Sequence, residues 1–394
     1  MKKKIFTLFL MATVISASAG EKFQQLLETL VSSSPDIKAM ILDHEAESEA
    51  AAQENMLAGP ELEGFHKWGT ERENKYGVGI SQSFDWPGLY GARKAARKAT
   101  DSALEQLRLS CMADRTLELK LLMIQLITTG EQLRVVEEAE SNMSQLLQLY
   151  QRGFEAGEES ILDVNKLKIE KLRLTRRLTS LRESRESILE SILSIAGSSG
   201  HSADLLSLKL SDLPADAIAD EAFYEDAAEH SPQMQYYRAM QESARQNERV
   251  ARLSGYPSFS IGYEMEREDG QYFNGISVNI GLSSWSNRHR KAAARYRLME
   301  QEVKMNSARL AEILRLRRIR SAALRARSEQ QLFSEVLGSS NQSELLKKAL
   351  DGGQISLMTY LQELGYFLDA RCDYYETANN AAQLCAELNK YNLK

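Results

Sequence analysis

Proline, cysteine and long apolar runs are all scarce in this sequence, and each scarcity removes a class of protein. Six prolines and 22 glycines among 394 residues leave long stretches without a helix breaker. The three cysteines, Cys111, Cys372 and Cys385, form an odd set and no disulfide framework. Cys372 and Cys385 stand 13 positions apart on an expected helix. That spacing turns them about 140° apart and separates them by about 20 Å, too far to bond, so small buried residues are expected instead. Beyond the N-terminal 19 residues no apolar run reaches the roughly 18 residues that a transmembrane helix needs. The five histidines, His44, His66, His201, His230 and His289, include no pair at helical metal-ligand spacing. Nucleophile-elbow, phosphate-loop and zincin motifs are missing, so neither catalysis nor a cofactor or metal is expected. A net charge of −6 argues against nucleic-acid binding.

What is present points to export and to long helices. Charged residues make up 26% of the chain and hydrophobic ones 43%, in a Leu-, Glu-, Arg-, Ala- and Ser-rich composition typical of long helices and coiled coils. Met1–Ala19 reads as a secretory signal peptide. It has a basic Lys2-Lys3-Lys4 start, an apolar Ile5–Val14 stretch and an Ala17-Ser18-Ala19 cleavage site before Gly20. No cysteine follows that site, so a lipid anchor there is not indicated. An exported chain without an apolar helix can span a membrane only by strands.

One strand is plain. Tyr76, Val78, Ile80 and Phe84 share a face, interrupted only by Gln82, while Gly77, Gly79, Ser81 and Ser83 share the other. That period of two suits hydrocarbon on one side and water on the other. Phe84-Asp85-Trp86-Pro87-Gly88 follows, with Asp85 expected to cap a helix and Pro87 to sit in its first turn. Pro87–Tyr150, with only Gly91 and Gly130 after Gly88, is a 64-residue helix candidate. Its length would be about 96 Å, more than a compact domain needs.

The rest of the chain repeats this plan. Glu21–Leu57 is helical with an interruption at Ser34-Pro35. Gly59-Pro60 ends it, and Glu61–Gly69 is a weaker strand carrying Phe65 and Trp68 as interfacial aromatics. Thr70–Lys75 is a charged loop. After the long helix, Gln151–Ser160 is a turn with Gly153 and Gly157. Ile161–Ala196 is a helix with a heptad seam at Leu167, Leu174, Leu181, Ile188 and Ile195. Gly197–Pro214 reads as a loop-like connector. Ser34-Pro35 and Pro60 then recur as Ser231-Pro232 and Pro257, at an offset of 197. Ser258–Glu266 is a strand with Phe259, Ile261, Tyr263 and Met265 on one face, and Arg267–Tyr272 a charged loop. Asn274–Ser283 is a strand with Ile276, Val278, Ile280 and Leu282 on one face. Trp285 stands where Trp86 did. A second long helix is expected over Ser286–Leu350, a turn at Asp351-Gly352-Gly353, and a last helix to about Tyr391. Drifts of only one or two residues in the offset mark an internal duplication. The expected organisation is a signal over 1–19, a first repeat over 20–196, a connector over 197–217 and a second repeat over 218–394.

Lengths suggest that each long helix lies beside a stacked pair of shorter ones, with strands at one end and glycine turns at the other. Four strands cannot close a membrane barrel alone, since the smallest have about 8. Two chains would give 8 strands and three would give 12.

The sequence resembles the TolC family of outer-membrane efflux channels, including its metal- and drug-efflux members, over essentially the whole mature chain. The carriers are Phe84-Asp85-Trp86-Pro87-Gly88 followed by basic residues, Gly157-x-x-Ser160-Ile161-Leu162-Asp163-Val164, and the second copy Gly353-x-x-Ser356-Leu357-Met358-x-x-Leu361. The resemblance implies a mainly α fold: a TolC-like α-helical barrel in the periplasm and a trimeric 12-stranded β-barrel in the outer membrane. It implies partners too, namely a periplasmic adaptor and an inner-membrane pump of the RND or ABC type. The family's founding member carries aspartates at the sixth and ninth positions after the second tip glycine, where this chain has Thr359 and Gln362, with Glu363 adjacent. A cation-binding acidic ring is therefore not carried over.

Three sets of candidate residues follow. The adaptor-docking tip comprises Phe154, Glu155, Gly157, Ser160, Ile161 and Asp163 in one half, and Leu350, Asp351, Gly353, Ser356 and Leu357 in the other. The lipid-facing set is Val78, Ile80, Phe84, Phe259, Ile261, Tyr263, Ile276, Val278, Ile280 and Leu282. An aromatic girdle is expected from Trp68, Tyr76, Trp86, Tyr263, Tyr272, Phe273 and Trp285. Arg93, Lys94, Arg97 and Lys98, with Arg288, Arg290, Lys291, Arg295 and Arg297, follow the strands and suit either lipid headgroups or solvent. Arg315, Arg317, Arg318, Arg320, Arg325 and Arg327 suit either ion pairs with acidic neighbours or a basic belt in a tunnel. The expected function is a passive exit duct for small solutes or metal ions, and not an enzyme. A polypeptide secretion duct and, from a different class, a soluble coiled-coil adaptor or scaffold remain as alternatives.

Overall fold

A computed structural model describes residues 20–53, 56–68, 74–198, 200–214, 217–268, 270–282, 287–337 and 342–391. The expected signal peptide and Trp285 lie outside these residues. Among them are ten α-helices and four strands. Helices α1 (Glu21–Ser33) and α2 (Pro35–Gln53) precede strands β1 (Glu61–Lys67) and β2 (Lys75–Phe84). Helix α3 (Pro87–Glu155) runs for 69 residues, a turn longer than expected. Helix α4 (Ile161–Ala196) follows. Helices α5 (Ser202–Leu206), α6 (Glu221–His230) and α7 (Pro232–Leu253) lead to β3 (Ser258–Glu268) and β4 (Gln271–Gly281). The chain ends in α8 (Asn287–Leu337), α9 (Gln342–Asp351) and α10 (Leu357–Leu388).

Local chemistry sets these boundaries. Ser34 stands between α1 and α2, where Pro35 cannot continue the hydrogen-bond ladder. Ser231 caps α7 by accepting from Met234 N at 3.2 Å, with Pro232 in the first turn. Asp220 caps α6 through Phe223 N at 3.1 Å. Gly197 closes α4 in the left-handed region at φ 65°, and a Cβ there would stand 2.6 Å from Pro35 Cδ. Only glycine meets both demands.

Three expectations need correction, and a fourth, the second long helix, lies partly outside the described residues. The connector is not plain loop: it holds α5 and a 3₁₀ turn at Leu210–Asp212, and Leu205 and Leu208 anchor it in a core. The loop expected at Arg267–Tyr272 is instead a tight hairpin. The ladder continues to Glu268↔Gln271 and turns at Gly270, φ 78°. The second long helix is described as α8 and α9, and 338–341 between them lie outside the described residues. Asp85 uses its carboxylate on Arg93, eight residues on, at 2.7 Å, while its own N–H donates to the Tyr90 hydroxyl at 2.8 Å.

The chain divides into two compact units. One comprises residues up to Pro35, Arg115–Ile218 and Ile319–Asn389. It contains two apolar cores. The first packs Phe23, Leu27 and Leu30 of α1 against Leu119, Met123 and Ile124 of α3 and Ile192 of α4. The second packs Val136 and Met143 of α3, Leu167, Leu174 and Leu178 of α4, and Leu364 and Leu368 of α10. The heptad seam of α4 is thus real, with Leu167, Leu174 and Ile188 buried and Leu181 and Ile195 partly so. Cys372 and Cys385 are buried and Cys111 half-buried, and none of the three is in a disulfide.

The other unit comprises Asp36–Asp114, Ala219–Arg318 and the residues from Lys390 onward. It holds one antiparallel sheet in the order β1-β2-β3-β4. The central pair, β2 with β3, joins strands from the two copies of the duplication, with Ile80 opposite Tyr263. Strands β1 and β4 are its edges. No helix among the described residues is long and apolar enough to cross a membrane.

Candidate membrane-facing sheet and helix-turn tips

The pairing register assembles the separate strand patterns into two whole faces. Residues directly opposite one another share a face. On one face Leu62 opposes Ile80, Ile80 opposes Tyr263, and Tyr263 opposes Ile276. The next rows join Gln82, Ile261 and Val278, and then Phe84, Phe259 and Ile280. Val78, Ile261, Tyr263, Ile276, Val278, Ile280 and Leu282 are all exposed, Ile276 at 79%. Gln82 breaks the row without leaving its amide unpaired, because Nε2 donates to Ala58 O at 2.6 Å. The opposite face carries Gly77, Gly79, Ser81, Ser260, Gly262, Ser277 and Asn279, with a charged end where Lys75 meets Glu266 at 2.9 Å and Glu268 at 3.1 Å.

Aromatic residues gather at both ends of the apolar face. At one end His66 stacks on Tyr76 with ring centroids 4.5 Å apart, and Trp68 meets His66 edge-on at 5.7 Å. Tyr272 is nearby in the ladder, under the Arg267 guanidinium at 5.5 Å. At the other end Trp86 stacks on Tyr256 at 5.2 Å and lies 6.3 Å from Phe259. From Phe259 to Arg267 is eight residues of β3, about 26 Å, close to the roughly 25 Å apolar band of a membrane barrel.

Two aromatic expectations change. Phe273 opposes Glu266, so it stands on the polar face, and Tyr272 on the other. Neighbours in a strand cannot share a face. Phe65 opposes Gly77 and covers it from the polar side, where a Cβ on Gly77 would stand 2.3 Å from the ring. Leu62, absent from the expected lipid-facing set, is exposed on the apolar face opposite Ile80. Its signal was the period-two row Leu62, Gly64, His66 and Trp68.

The tips are two turns with one hydrogen-bond pattern. Gly157 N donates to Phe154 O at 3.0 Å and Glu158 N to Gly153 O at 2.8 Å. Gly353 N donates to Leu350 O at 3.0 Å and Gln354 N to Ala349 O at 2.8 Å, each partner 196 residues further on. Both are Schellman motifs, and both glycines take the left-handed conformation, φ 79° and 67°. Ser160 then caps α4 through Leu162 N, and Ser356 caps α10 through Thr359 N, each at 3.2 Å. Phe154, Glu155, Ile161 and Asp351 are exposed, and Asp163 is half-buried beside Lys166 at 3.0 Å. Leu357 is not on the surface: at 8% exposure it belongs to the second apolar core, and Leu350 packs against that core. The exposed apolar residues beside the caps are Leu162 and Met358 instead. The Tyr150 phenol is pushed up by burial and then by Glu159, Asp163 and Asp351; burial and Asp351 do the same to Tyr360.

The basic runs divide. Arg317 pairs with Glu221 and Glu225, each at 2.6 Å, and Arg315 with Glu312 at 2.7 Å, so these two serve ion pairs. Arg318 and Arg325 are exposed. Below the strands Arg97 meets Asp101 at 3.7 Å, whereas Lys94, Lys98, Arg288, Arg290, Lys291, Arg295 and Arg297 are exposed. Among the described residues no group of three His, Cys, Asp or Glu could hold a metal ion.

The described chain thus joins long helices to one four-stranded sheet that is apolar and exposed on one face and polar on the other. No family model matches the sequence, and no curated protein matches it. Solved structures do. The outer membrane protein VceC of Vibrio cholerae is similar at a TM-score of 0.73 and 14% identity, over 93% of this chain and 95% of that one. The CmeC outer membrane channel of Campylobacter jejuni is similar at 0.70 and 15%, over 94% and 85%. The MtrE outer membrane channel of Neisseria gonorrhoeae is similar at 0.67 and 15%, over 96% and 93%. The chain has the fold of these outer-membrane channels, TolC-like, over nearly its full length.

Proposed function

We propose that this protein is the outer-membrane exit duct of a tripartite efflux system, a passive conduit for small solutes. The carrying observation is the exposed, mostly apolar face spanning β1–β4, bounded by aromatic clusters at both ends and backed by a polar face. Water on both sides would leave that face unstable, whereas hydrocarbon on one side and a wet lumen on the other suits it. Two open edges, β1 and β4, call for further copies of the chain, because lipid cannot satisfy their backbone groups. Three copies, with 12 strands in all, fit the resemblance. The helices then lie in the periplasm, and their glycine turns meet a periplasmic adaptor coupled to an inner-membrane pump. Such a duct works by shape and wetting and needs no catalytic residue.

Cell fractionation followed by detergent extraction and single-channel recording in planar bilayers tests this. The expected result is an outer-membrane oligomer with three chains that conducts ions. A soluble periplasmic monomer that leaves bilayers silent would refute it.

A further inference from the structure

Within the sheet-bearing unit, α3, α7 and α8 enclose a groove of about 720 Å³. It begins where the helices meet the sheet: Ser254 on its wall is four residues before β3, and Arg93 is nine after β2. Three guanidiniums line it, from Arg93, Arg290 and Arg297. Arg290 and Arg297 are seven residues apart on α8, hence on one face and about 10 Å apart along it. Met240, Val250 and Ala294 supply apolar wall. One carboxylate, Glu300, also lines the groove; Lys304, at 2.7 Å, and then Arg297 lower its pKa. Arg93 is shared with Asp85. Among the described residues no carboxylate comes within ion-pair distance of Arg290 or Arg297, although Glu300 also acts on Arg297 electrostatically, in a chain whose net charge is −6.

Guanidiniums without a close carboxylate of their own, beside an apolar wall, are matched by one chemistry. A guanidinium takes a phosphate or carboxylate through paired N–H donors, and two of them about 10 Å apart along a helix would hold a headgroup rather than a point ion. The wall would shelter the apolar body of the same molecule. The Trp86–Tyr256 stack near the junction places this groove beside an interfacial aromatic cluster.

We propose that the α3–α7–α8 groove binds an amphiphilic anion, a phosphate headgroup on an apolar body, through Arg290 and Arg297. A membrane phospholipid and an exported anionic solute offer the same chemistry. The inference does not depend on the export function, because binding can be read on purified protein.

Native mass spectrometry of the full chain in a non-ionic detergent is the test, with Arg290→Gln/Arg297→Gln as the variant. Both side chains are exposed, so the fold should survive, and circular dichroism verifies it. The double variant should retain phosphatidylglycerol and dodecyl phosphate at least tenfold less well, with phosphatidylcholine binding unchanged. Co-purification of phosphatidylglycerol from cells would assign the lipid as the source; export of dodecyl phosphate that falls in the variant would assign the solute. Equal binding by the variant would overturn the proposal. So would an equal loss in an Arg318→Gln/Arg325→Gln control away from the groove, or displacement of dodecyl phosphate by an equal concentration of inorganic phosphate.

Discussion

An arginine at Ile276 is the sharpest perturbation of the sheet. Ile276 opposes Tyr263. Tyr263 stands four residues from Phe259 at one aromatic end and four from Arg267 at the other, about 13 Å each way. Ile276 is therefore at mid-depth of the apolar face, and at 79% exposure its side chain meets the surroundings rather than the protein. A charge there faces hydrocarbon if the faces are assigned correctly, at about 2–4 kcal/mol per chain. That corresponds to a roughly 30- to 700-fold loss in the folding equilibrium. Val278, two residues or about 7 Å nearer the Trp86 end, should lose less. Ser277 is the depth-matched control, one residue away on the polar face, and its arginine variant should lose no more than about 1 kcal/mol. Denaturant titration of chains folded into lipid vesicles reads all three. If Ser277→Arg proves as damaging as Ile276→Arg, the face assignment fails and the membrane reading with it.

Other consequences can be measured separately. Gly157→Ala and Gly353→Ala meet no atom within 4 Å, so each should lose only the left-handed backbone strain, about 1–2 kcal/mol, seen as a lower thermal midpoint. Leu162→Glu and Met358→Glu alter exposed tip residues without touching the Ser160 and Ser356 caps. They should abolish cross-linking to an adaptor while the oligomer stays intact, and normal cross-linking would remove the tip from the docking surface. Burial raises the Cys372 thiol pKa, and this outweighs the lowering by Arg177. Its folded-state pKa thus lies above the unfolded value of about 8.5, so its contribution to stability is complete below that pH and declines as pH rises through the window between the two. Maleimide at pH 8 should accordingly label Cys111 well before Cys372, and the order should vanish on unfolding.

The sequence made the strands legible because their two faces differ so sharply. Ile276, Val278 and Ile280 alternate with Ser277 and Asn279, and the observed ladder keeps every one of them on its expected side. Caps and turns were legible for a similar reason, since glycine at φ 79° and a serine ahead of a helix are local requirements. What failed was non-local or lay at an element's end. The charged Arg267–Tyr272 stretch looks like loop, which conceals the continued alternation that puts Phe273 on the opposite face from Tyr272. The connector looked like loop because α5 has only five residues, and Leu205 is fixed there by a core built largely from α1, α3 and α4. Ion pairing of Arg317 with Glu221 and Glu225 joins residues more than 90 positions apart, which no spacing rule reveals.

The two tips show where a duplication is kept and where it is not. Backbone geometry is kept: the turns share glycine conformation, backbone hydrogen bonds and a serine cap at a constant offset of 196. Side-chain environment is not. Ile161 and Leu357 occupy equivalent positions after equivalent serines, yet Ile161 is 44% exposed and Leu357 only 8%. The difference arises because Leu357 packs into the core shared with Leu147, Val164 and Leu364, whereas Ile161 has no such neighbours in that core. The two turns therefore offer a partner unequal surfaces, and truncation should separate them. Leu357→Ala removes a buried side chain and should destabilise by about 2–5 kcal/mol. Ile161→Ala should remain within about 0.5 kcal/mol in stability, while weakening any contact made at the first tip. Thermal unfolding and adaptor cross-linking, measured on the same two variants, distinguish a structural from a docking position. Equal destabilisation by both would mean that the tips are equivalent and that the asymmetry of their surfaces is not used.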